Sequence, residues 1–364
     1  MYDVAIIGLG PAGSTLARLL GEHLRVVAVD RKHPAGDDGF HKPCGGLLAP
    51  DAQKALAAWD LALPTSVLVD PQIFAVKTID LAAKQVSSYQ RFYLNMDRHR
   101  FDQWLRSLVP DRVDVYDDAV ASGFTQVDGH WQFVVRHGTT RRTVRARYVV
   151  GADGARSAVR QVVRPQWAGR HYTAIQQWFT DPVADPVFLS VFDPSVTDSY
   201  AWGFAKNEHF VFGGAFPSTG ARSRFDQLVT SMEAYGLHLD DPVRTEACQV
   251  LRPRGLRDFA APRAGGFLVG EAAGFVSPTS LEGISYALRS ARALAAALDT
   301  DEPERRYWAA TRSIRVDLLG KHLKSPFMYT APIRRLVMAS GLLTVSGTQR
   351  LEPQARLAVN RGRP

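Results

Sequence analysis

The sequence predicts an α/β protein: an open, mostly parallel sheet interleaved with an antiparallel sheet and followed by C-terminal helices. Three observations predict it. Residues 2–7, Tyr-Asp-Val-Ala-Ile-Ile, form an apolar, β-branched run that enters Gly8-Leu9-Gly10-Pro11-Ala12-Gly13 and then a helical apolar pattern through Leu16, Leu19 and Leu20. Residues 165–255 are rich in aromatic and β-branched residues with frequent turns. The last 64 residues carry helical spacing and most of the net positive charge.

The first unit is the most informative. Strand, G-x-G-x-x-G, helix, a second strand Val26–Val29 and then Asp30 make the Rossmann-like fingerprint in its proper context. Gly8 allows the tight turn, Gly10 lets a pyrophosphate approach the backbone, and Gly13 lets the helix pack on the strand. The helix N-terminus offers N–H groups and a positive dipole end. Asp30 stands where a carboxylate accepts from the adenosine ribose.

Composition narrows the rest. A chain of 364 residues suggests two domains, or one large domain with an inserted layer. Two cysteines, Cys44 and Cys248, make no disulfide framework, so a reducing compartment is expected. The apolar start at Val4 lacks a basic n-region, so it reads as a strand and not as a secretory leader. No run approaches the roughly 18–20 apolar residues that span a bilayer. From Asp301 onward there are twelve Lys+Arg and five Asp+Glu, so +7 of the net +8 lies there. A solvated basic face is one reading of this. No nucleic-acid motif accompanies it, which leaves an anionic membrane surface as the functional one. The ten histidines are scattered, so no metal site is expected, and no P-loop or Gly-x-Ser-x-Gly elbow is present.

After Asp30 and Arg31 comes a Gly/Asp loop, then His41-Lys42-Pro43-Cys44-Gly45-Gly46. The paired glycines suit a backbone that passes close to something flat. Cys44 is either a small buried hydrophobe or a thiol near a redox centre. Residues 51–60 read as a helix and 70–93 as strands. Asn95–Leu105 starts a helix with Phe101, Leu105 and Leu108 on one face, and Arg98 before it could reach a phosphate. A strand near Val113–Tyr116 and a hairpin, Trp131–Arg136 and Arg141–Val150, predict a small antiparallel sheet. That last strand runs into Gly151-Ala152-Asp153-Gly154, at the strand end where open α/β sheets bind ligands. Over 165–255 a mostly antiparallel sheet is expected. Within it, the period of two in Tyr200-x-Trp202-x-Phe204 sends three rings to one face, as core or as the wall of an apolar site. Phe267–Val269 and Gly270-Glu271-Ala272-Ala273-Gly274 repeat the strand–Gly–acid–Gly theme before a helix from Gly283-Ile284. The tail is expected to be helical, with a short amphipathic piece that sets Ile333, Leu336 and Val337 against Arg334 and Arg335.

Taken in order, these motifs resemble the geranylgeranyl reductase family of FAD enzymes, bacterial branch, within the p-hydroxybenzoate-hydroxylase-like flavoprotein superfamily. The resemblance covers about residues 1–300 and departs from the family at Glu271, where Asp is usual, and at Ala205, where Pro is usual. It implies a discontinuous FAD-binding domain (1–70, 95–165 and 256–300), a substrate-binding β-sheet domain (71–94 and 166–255) and a basic helical region (301–364). It implies FAD held by Gly8, Gly10, Pro11, Ala12 and Gly13 at the pyrophosphate, with Asp30 and Arg31 at the adenosine. Arg98 and Asp153 would lie along the cofactor. Gly270, Glu271 and Gly274 would meet the ribityl-phosphate, and Gly283 and Ile284 the flavin ring. Lys42, Cys44, Gly45 and Gly46 would lie against the isoalloxazine, with Cys44 as the catalytic candidate. Tyr200, Trp202 and Phe204 would line the substrate site.

Three functions compete. The first is a reductase that passes hydride from reduced FAD to a prenyl double bond, with NAD(P)H or another reductant as a transient donor. It would be cytoplasmic and peripheral to the inner face of the membrane. The second is a flavin-dependent monooxygenase acting on a hydrophobic or aromatic substrate; the halogenase signature Trp-x-Trp-x-Ile-Pro is absent. The third is a non-catalytic protein that binds FAD and a lipid.

Overall fold

The computed structural model describes residues 1–32, 42–180, 185–339 and 346–350. The Gly/Asp loop before Lys42, with His41, lies outside the described residues, as does the tail beyond Arg350. The chain alternates between two sheets. It begins in the first with β1 (Tyr2–Ile7), α1 (Pro11–Leu20) and β2 (Val26–Val29). It then crosses to the second through β3 (Leu47–Leu48), α2 (Pro50–Ala57), β4 (Ile73–Asp80) and β5 (Gln85–Asn95). It returns through α3 (Arg98–Ser107), β6 (Asp114–Tyr116), β7 (Ala119–Val127), β8 (His130–His137), β9 (Thr140–Gly151) and α4 (Ala158–Val163). A second excursion holds β10 (His171–Phe179), β11 (Val187–Phe192), β12 (Ala201–Lys206), β13 (His209–Pro217), α5 (Ala221–Glu233) and β14 (Arg244–Leu251). Last come β15 (Gly266–Leu268), α6 (Ile284–Leu298), α7 (Pro303–Ala310), α8 (Arg312–Tyr329), α9 (Ala331–Ala339) and β16 (Ser346–Arg350).

The first sheet has the order β6-β2-β1-β9-β8-β7, with β15 also on β9. The predicted hairpin is not a separate small sheet. β9 is twelve residues long. Its second half runs parallel to β1 from Ala146 to Gly151, while its first half pairs antiparallel with β8. One long strand therefore carries the hairpin into the parallel sheet. The burial of β1 and β2 on both faces explains their unbroken apolar runs. Leu16 and Leu20 of α1, and Ala291 and Leu294 of α6, share one core with them.

The second sheet has the order β14-β10-β13-β12-β11-β4-β5-β16. It is antiparallel except for β4 beside β11, where Val187 pairs with Ala75 in parallel. Residues 165–255 also hold a helix that the sequence reading missed. In α5, Phe225, Leu228 and Met232 recur at helical spacing and bury against Phe212 and Phe216. The alternation along β11–β13 therefore splits the sheet into two apolar faces. Phe210, Phe212 and Phe216 face α5, and Phe188, Phe192, Phe204 and Val211 form a separate aromatic cluster.

The C-terminal expectation needs two corrections. The tail is not helical throughout, because β16 adds a strand to the edge of β5 at Gln85–Ser88. Nor is α9 polar at Arg334 and apolar at Leu336 in the predicted sense. Arg334 is buried and its Nε meets Asp80 Oδ2 at 2.7 Å, whereas Leu336 is 71% exposed. Tertiary pairing with a wholly buried carboxylate outweighs the local pattern. No described helix is long and apolar enough to cross a membrane.

The Arg334–Asp80 pair fastens the last helices to the second sheet. Asp80→Ala strands a buried guanidinium and should cost about 3–5 kcal/mol in urea unfolding. A change below 1 kcal/mol would show that the pair is not what holds α9.

Candidate functional site

The site begins at the carboxyl end of β1. Gly8 has φ +98°, and a Cβ on Gly13 would sit 1.8 Å from the Gly8 carbonyl oxygen, so no other residue fits there. A Cβ on Gly10, by contrast, meets nothing within 4 Å. Gly10 caps α1 without a side-chain hydrogen bond, and Pro11 follows at the first helical turn. The open side of the turn therefore presents the helix N-terminus and its backbone N–H groups. Asp30, 3% exposed, accepts from the Leu9 N–H at 2.7 Å and from the Lys32 N–H at 3.0 Å. It ties the second strand to the glycine turn as well as standing at the ribose position. Arg31 is exposed beside it.

Asp153 follows β9. One of its oxygens accepts from the Ala158 N–H at 2.7 Å, and the other is buried without a described partner. Burial raises its carboxyl pKa. An orphaned polar atom at the strand ends, an uncapped helix N-terminus at Gly10 and a second at Gly283 before Ile284 are features that a bound dinucleotide would satisfy. The residues present fit FAD.

Residues 42–46 cross the gap between the two sheets and meet several elements in turn. Lys42 Nζ pairs with Glu271 Oε2 at 2.5 Å. The carbonyl of Pro43 accepts from Cys248 Sγ of β14 at 3.4 Å. Cys44 lies against the Arg98 guanidinium of α3. A Cβ on Gly45 would stand 3.0 Å from the Phe204 ring, and one on Gly46 would stand 2.7 Å from Lys206 Nζ. The glycine pair is thus required by protein neighbours, and the loop's proximity to Phe204 joins cofactor motif to aromatic motif.

Two sequence-predicted residues have more local partners than expected. Glu271 holds Lys42 with one oxygen and the Leu251 N–H, at 3.0 Å, with the other. Arg98 is the first residue of α3 and bonds Asp102 one turn on at 2.9 Å, while Lys32 reaches the same carboxylate at 2.7 Å. Burial alone would raise the Asp102 carboxyl, but the two cations hold it down at about 2. Gly274 has φ +84°, and its missing Cβ makes room for the Asp258 carbonyl, so its role is backbone packing. Gly270 sits close to Ala12 and Ala287, where α1 and α6 meet.

The predicted rings do share one face. Tyr200, Trp202 and Phe204 lie in a cluster with Tyr93, Phe188, Phe192, Met328 and Tyr329. Phe188 stacks on Phe204 with centroids 6.0 Å apart, and Tyr200 donates from its hydroxyl to the Ser280 carbonyl at 2.7 Å. Trp202 Nε1 is buried with no described partner. At the cluster's edge, Glu282 accepts from Tyr93 Oη at 3.1 Å and pairs with Arg91 at 3.1 Å, immediately before Gly283.

Sequence reasoning missed three members. Lys206 is 5% exposed, donates to the Met96 carbonyl at 2.5 Å, and has its pKa lowered by burial to about 8. Its position two residues after Phe204 was the available signal. Cys248 and Glu282 arrive from strands and loops distant in sequence, and no local pattern marks them.

Comparison with known proteins agrees with this geometry. Residues 105–303 match the family described as FAD binding domain. The chain is 45% identical to Protein CbrA of Escherichia coli strain K12 over 344 residues, covering 94% of this chain and 97% of that one. A geranylgeranyl bacteriochlorophyll reductase-like protein from Thermoplasma acidophilum superposes with TM-score 0.79 at 18% identity, covering 98% of this chain and 94% of that one. PqsL, a probable FAD-dependent monooxygenase from Pseudomonas aeruginosa, superposes with TM-score 0.69 at 18% identity, covering 92% and 97%. At that identity the two structures share the fold.

Two outcomes follow from the geometry. Gly13→Ala should yield protein that has lost its flavin absorbance while keeping a cooperative thermal transition. Retention of full flavin would contradict the crowding at Gly8. For Asp102 the sign is that of a depressed carboxyl. Its stabilisation is present above its ordinary pKa near 3.8 and is lost as the pH falls toward 2. Urea midpoints of the native protein should drop faster between pH 4 and 2 than those of Asp102→Asn, which should already be less stable at neutral pH.

Proposed function

This chain belongs to the FAD-binding-domain family, an FAD-dependent oxidoreductase fold, and from that premise we propose that it is a reductase saturating double bonds of a prenyl lipid. The observation that carries the reading is the aromatic cluster of Tyr200, Trp202 and Phe204 in direct contact with the Gly45-Gly46 loop. An apolar wall touching the cofactor loop suits a long hydrocarbon better than a small polar substrate. FAD, when bound and reduced, supplies hydride. Gly10 to Gly13 and the N-terminus of α1 hold its pyrophosphate. Gly283 and Ile284 present the N-terminus of α6 to the flavin, where the helix dipole favours negative charge. Tyr200, Trp202, Phe204, Phe188 and Tyr93 exclude water from the reacting alkene and align it. Cys44 lies on the loop that joins the two motifs, where it would stand next to a bound flavin. The sequence holds no second dinucleotide fingerprint, so NAD(P)H or another reductant visits transiently.

A lipid substrate calls for a lipid surface. Leu323 and Phe327 of α8 are 74% and 57% exposed, and Leu336 of α9 is exposed too, beside Lys324 and Arg335. This face is proposed to rest on anionic membrane. Full-length protein should sediment with vesicles containing phosphatidylglycerol, and Leu323→Glu with Phe327→Glu should abolish this. Equal binding to neutral and anionic vesicles would remove the electrostatic part of the reading.

The reaction itself is tested by reducing the flavoprotein without oxygen and adding prenyl compounds of twenty or more carbons. Flavin absorbance should return with the prenyl compound and a saturated product should form. Phe204→Ala should slow that return at least tenfold while keeping the flavin. Fast return with oxygen alone, no response to any prenyl chain, and hydroxylated product would assign the protein to the monooxygenases instead.

A further inference from the structure

The loop at 42–46 brings together the two cysteines of the whole chain. Cys44 lies on it, and Cys248 reaches it from β14, with its Sγ 3.4 Å from the Pro43 carbonyl that leads into Cys44. Neither thiol is in a disulfide. Their surroundings differ in a way that assigns them different chemistry. Cys44 is partly exposed and stands between two cations, the Arg98 guanidinium and Lys206 Nζ. A partly exposed thiol is open to peroxide, and its thiolate is the nucleophilic form. Burial pushes the Cys248 thiol up to about 11, so at neutral pH it keeps its proton, which it directs at Pro43. A partly exposed thiol among cations beside a protonated second thiol is the arrangement of an attacking and a resolving cysteine.

We propose that Cys44 and Cys248 are a peroxide-responsive dithiol that closes to a disulfide across the cofactor loop. In the first step Cys44 Sγ, as thiolate, attacks one oxygen of hydrogen peroxide. An S–O bond forms, the O–O bond breaks, and the departing hydroxide takes a proton to leave as water. Cys44 is then a sulfenic acid, oxidised by two electrons, and the peroxide is reduced. In the second step Cys248 Sγ forms the S–S bond, its proton passes to the leaving hydroxyl, the S–O bond breaks, and a second water departs. The sum is two thiols and one peroxide to one disulfide and two waters. A dithiol reductant restores both thiols. A disulfide needs Cα atoms within about 7 Å. Cys248 Sγ already stands 3.4 Å from the carbonyl of the residue that precedes Cys44.

The consequence is a switch at the junction of the two sheets. The disulfide takes the Cys44 thiol away from the cofactor face and ties the loop to β14. Nothing in this depends on which substrate the aromatic cluster holds, so the proposal stands or falls apart from the prenyl reading.

The test uses full-length flavoprotein, treated with hydrogen peroxide at one to a few equivalents, alkylated, and read by intact mass and peptide mapping. Free thiols should fall from two to none, with the peptides of Cys44 and Cys248 linked within one chain, and dithiothreitol should restore both. In Cys248→Ser the disulfide cannot form, so Cys44 should accumulate as sulfenic acid that dimedone traps, with flavin absorbance showing that the variant is folded. Two alkylatable thiols after peroxide would overturn the proposal. So would a dimedone adduct forming equally in the native protein, or a link found only between two chains on a non-reducing gel. The native thiol count decides the matter even if the variant fails to fold.

Discussion

The structure depends on five residues that do not form regular structure. Lys42 to Gly46 run between a dinucleotide-binding sheet and an aromatic-lined sheet, and hold both. The ends of this span are the strongest contacts: Lys42 to Glu271 at one end, and the Gly46 carbonyl accepting from Met96 N–H at 2.8 Å at the other. Between them Pro43, Cys44 and Gly45 meet β14, α3 and β12. A backbone this crowded leaves little space for Cβ atoms, so the two glycines are dictated by packing. The same crowding sets the distance from cofactor motif to aromatic wall.

Charge is distributed around that loop with a consistent sign. Lys42, Arg98 and Lys206 come from three different segments and converge on it. Two of them are neutralised by acids, the partly buried Glu271 and the buried Asp102. Lys206 instead has carbonyl and ring neighbours, which is why burial lowers its pKa. An isolated buried ammonium is costly, and costly groups persist where function uses them. The aromatic face next to it is dry by composition. The sheet behind it is stiffened on its other side by α5, so the wall has a firm support.

The C-terminal helices complete this enclosure. Met328 and Tyr329 at the end of α8 enter the aromatic cluster, and Arg252 lies over the Tyr329 ring at 4.6 Å. Arg334 then fixes α9 to Asp80, and β16 closes the edge of β5. The chain's most basic region is thus partly invested in the fold. A net charge counted from sequence cannot separate an arginine spent on a buried aspartate from one that faces solvent.

The sequence by itself determined the fold class and the cofactor class. The reason is that these are local: turn, helix N-terminus and following strand lie within thirty residues, and each demands particular residue types over short spacings. The period of two at Tyr200, Trp202 and Phe204 was legible for the same reason. Only the tertiary structure decided which residues meet across sheets. That β9 serves both halves of its sheet, that Arg334 turns inward, that Glu282 reaches the aromatic cluster, and that Cys248 and Lys206 join the loop at 42–46 all depend on contacts between segments up to 254 residues apart. Such pairings leave no periodic trace, because their free energy comes from burial and charge pairing that exist only once both sheets are assembled.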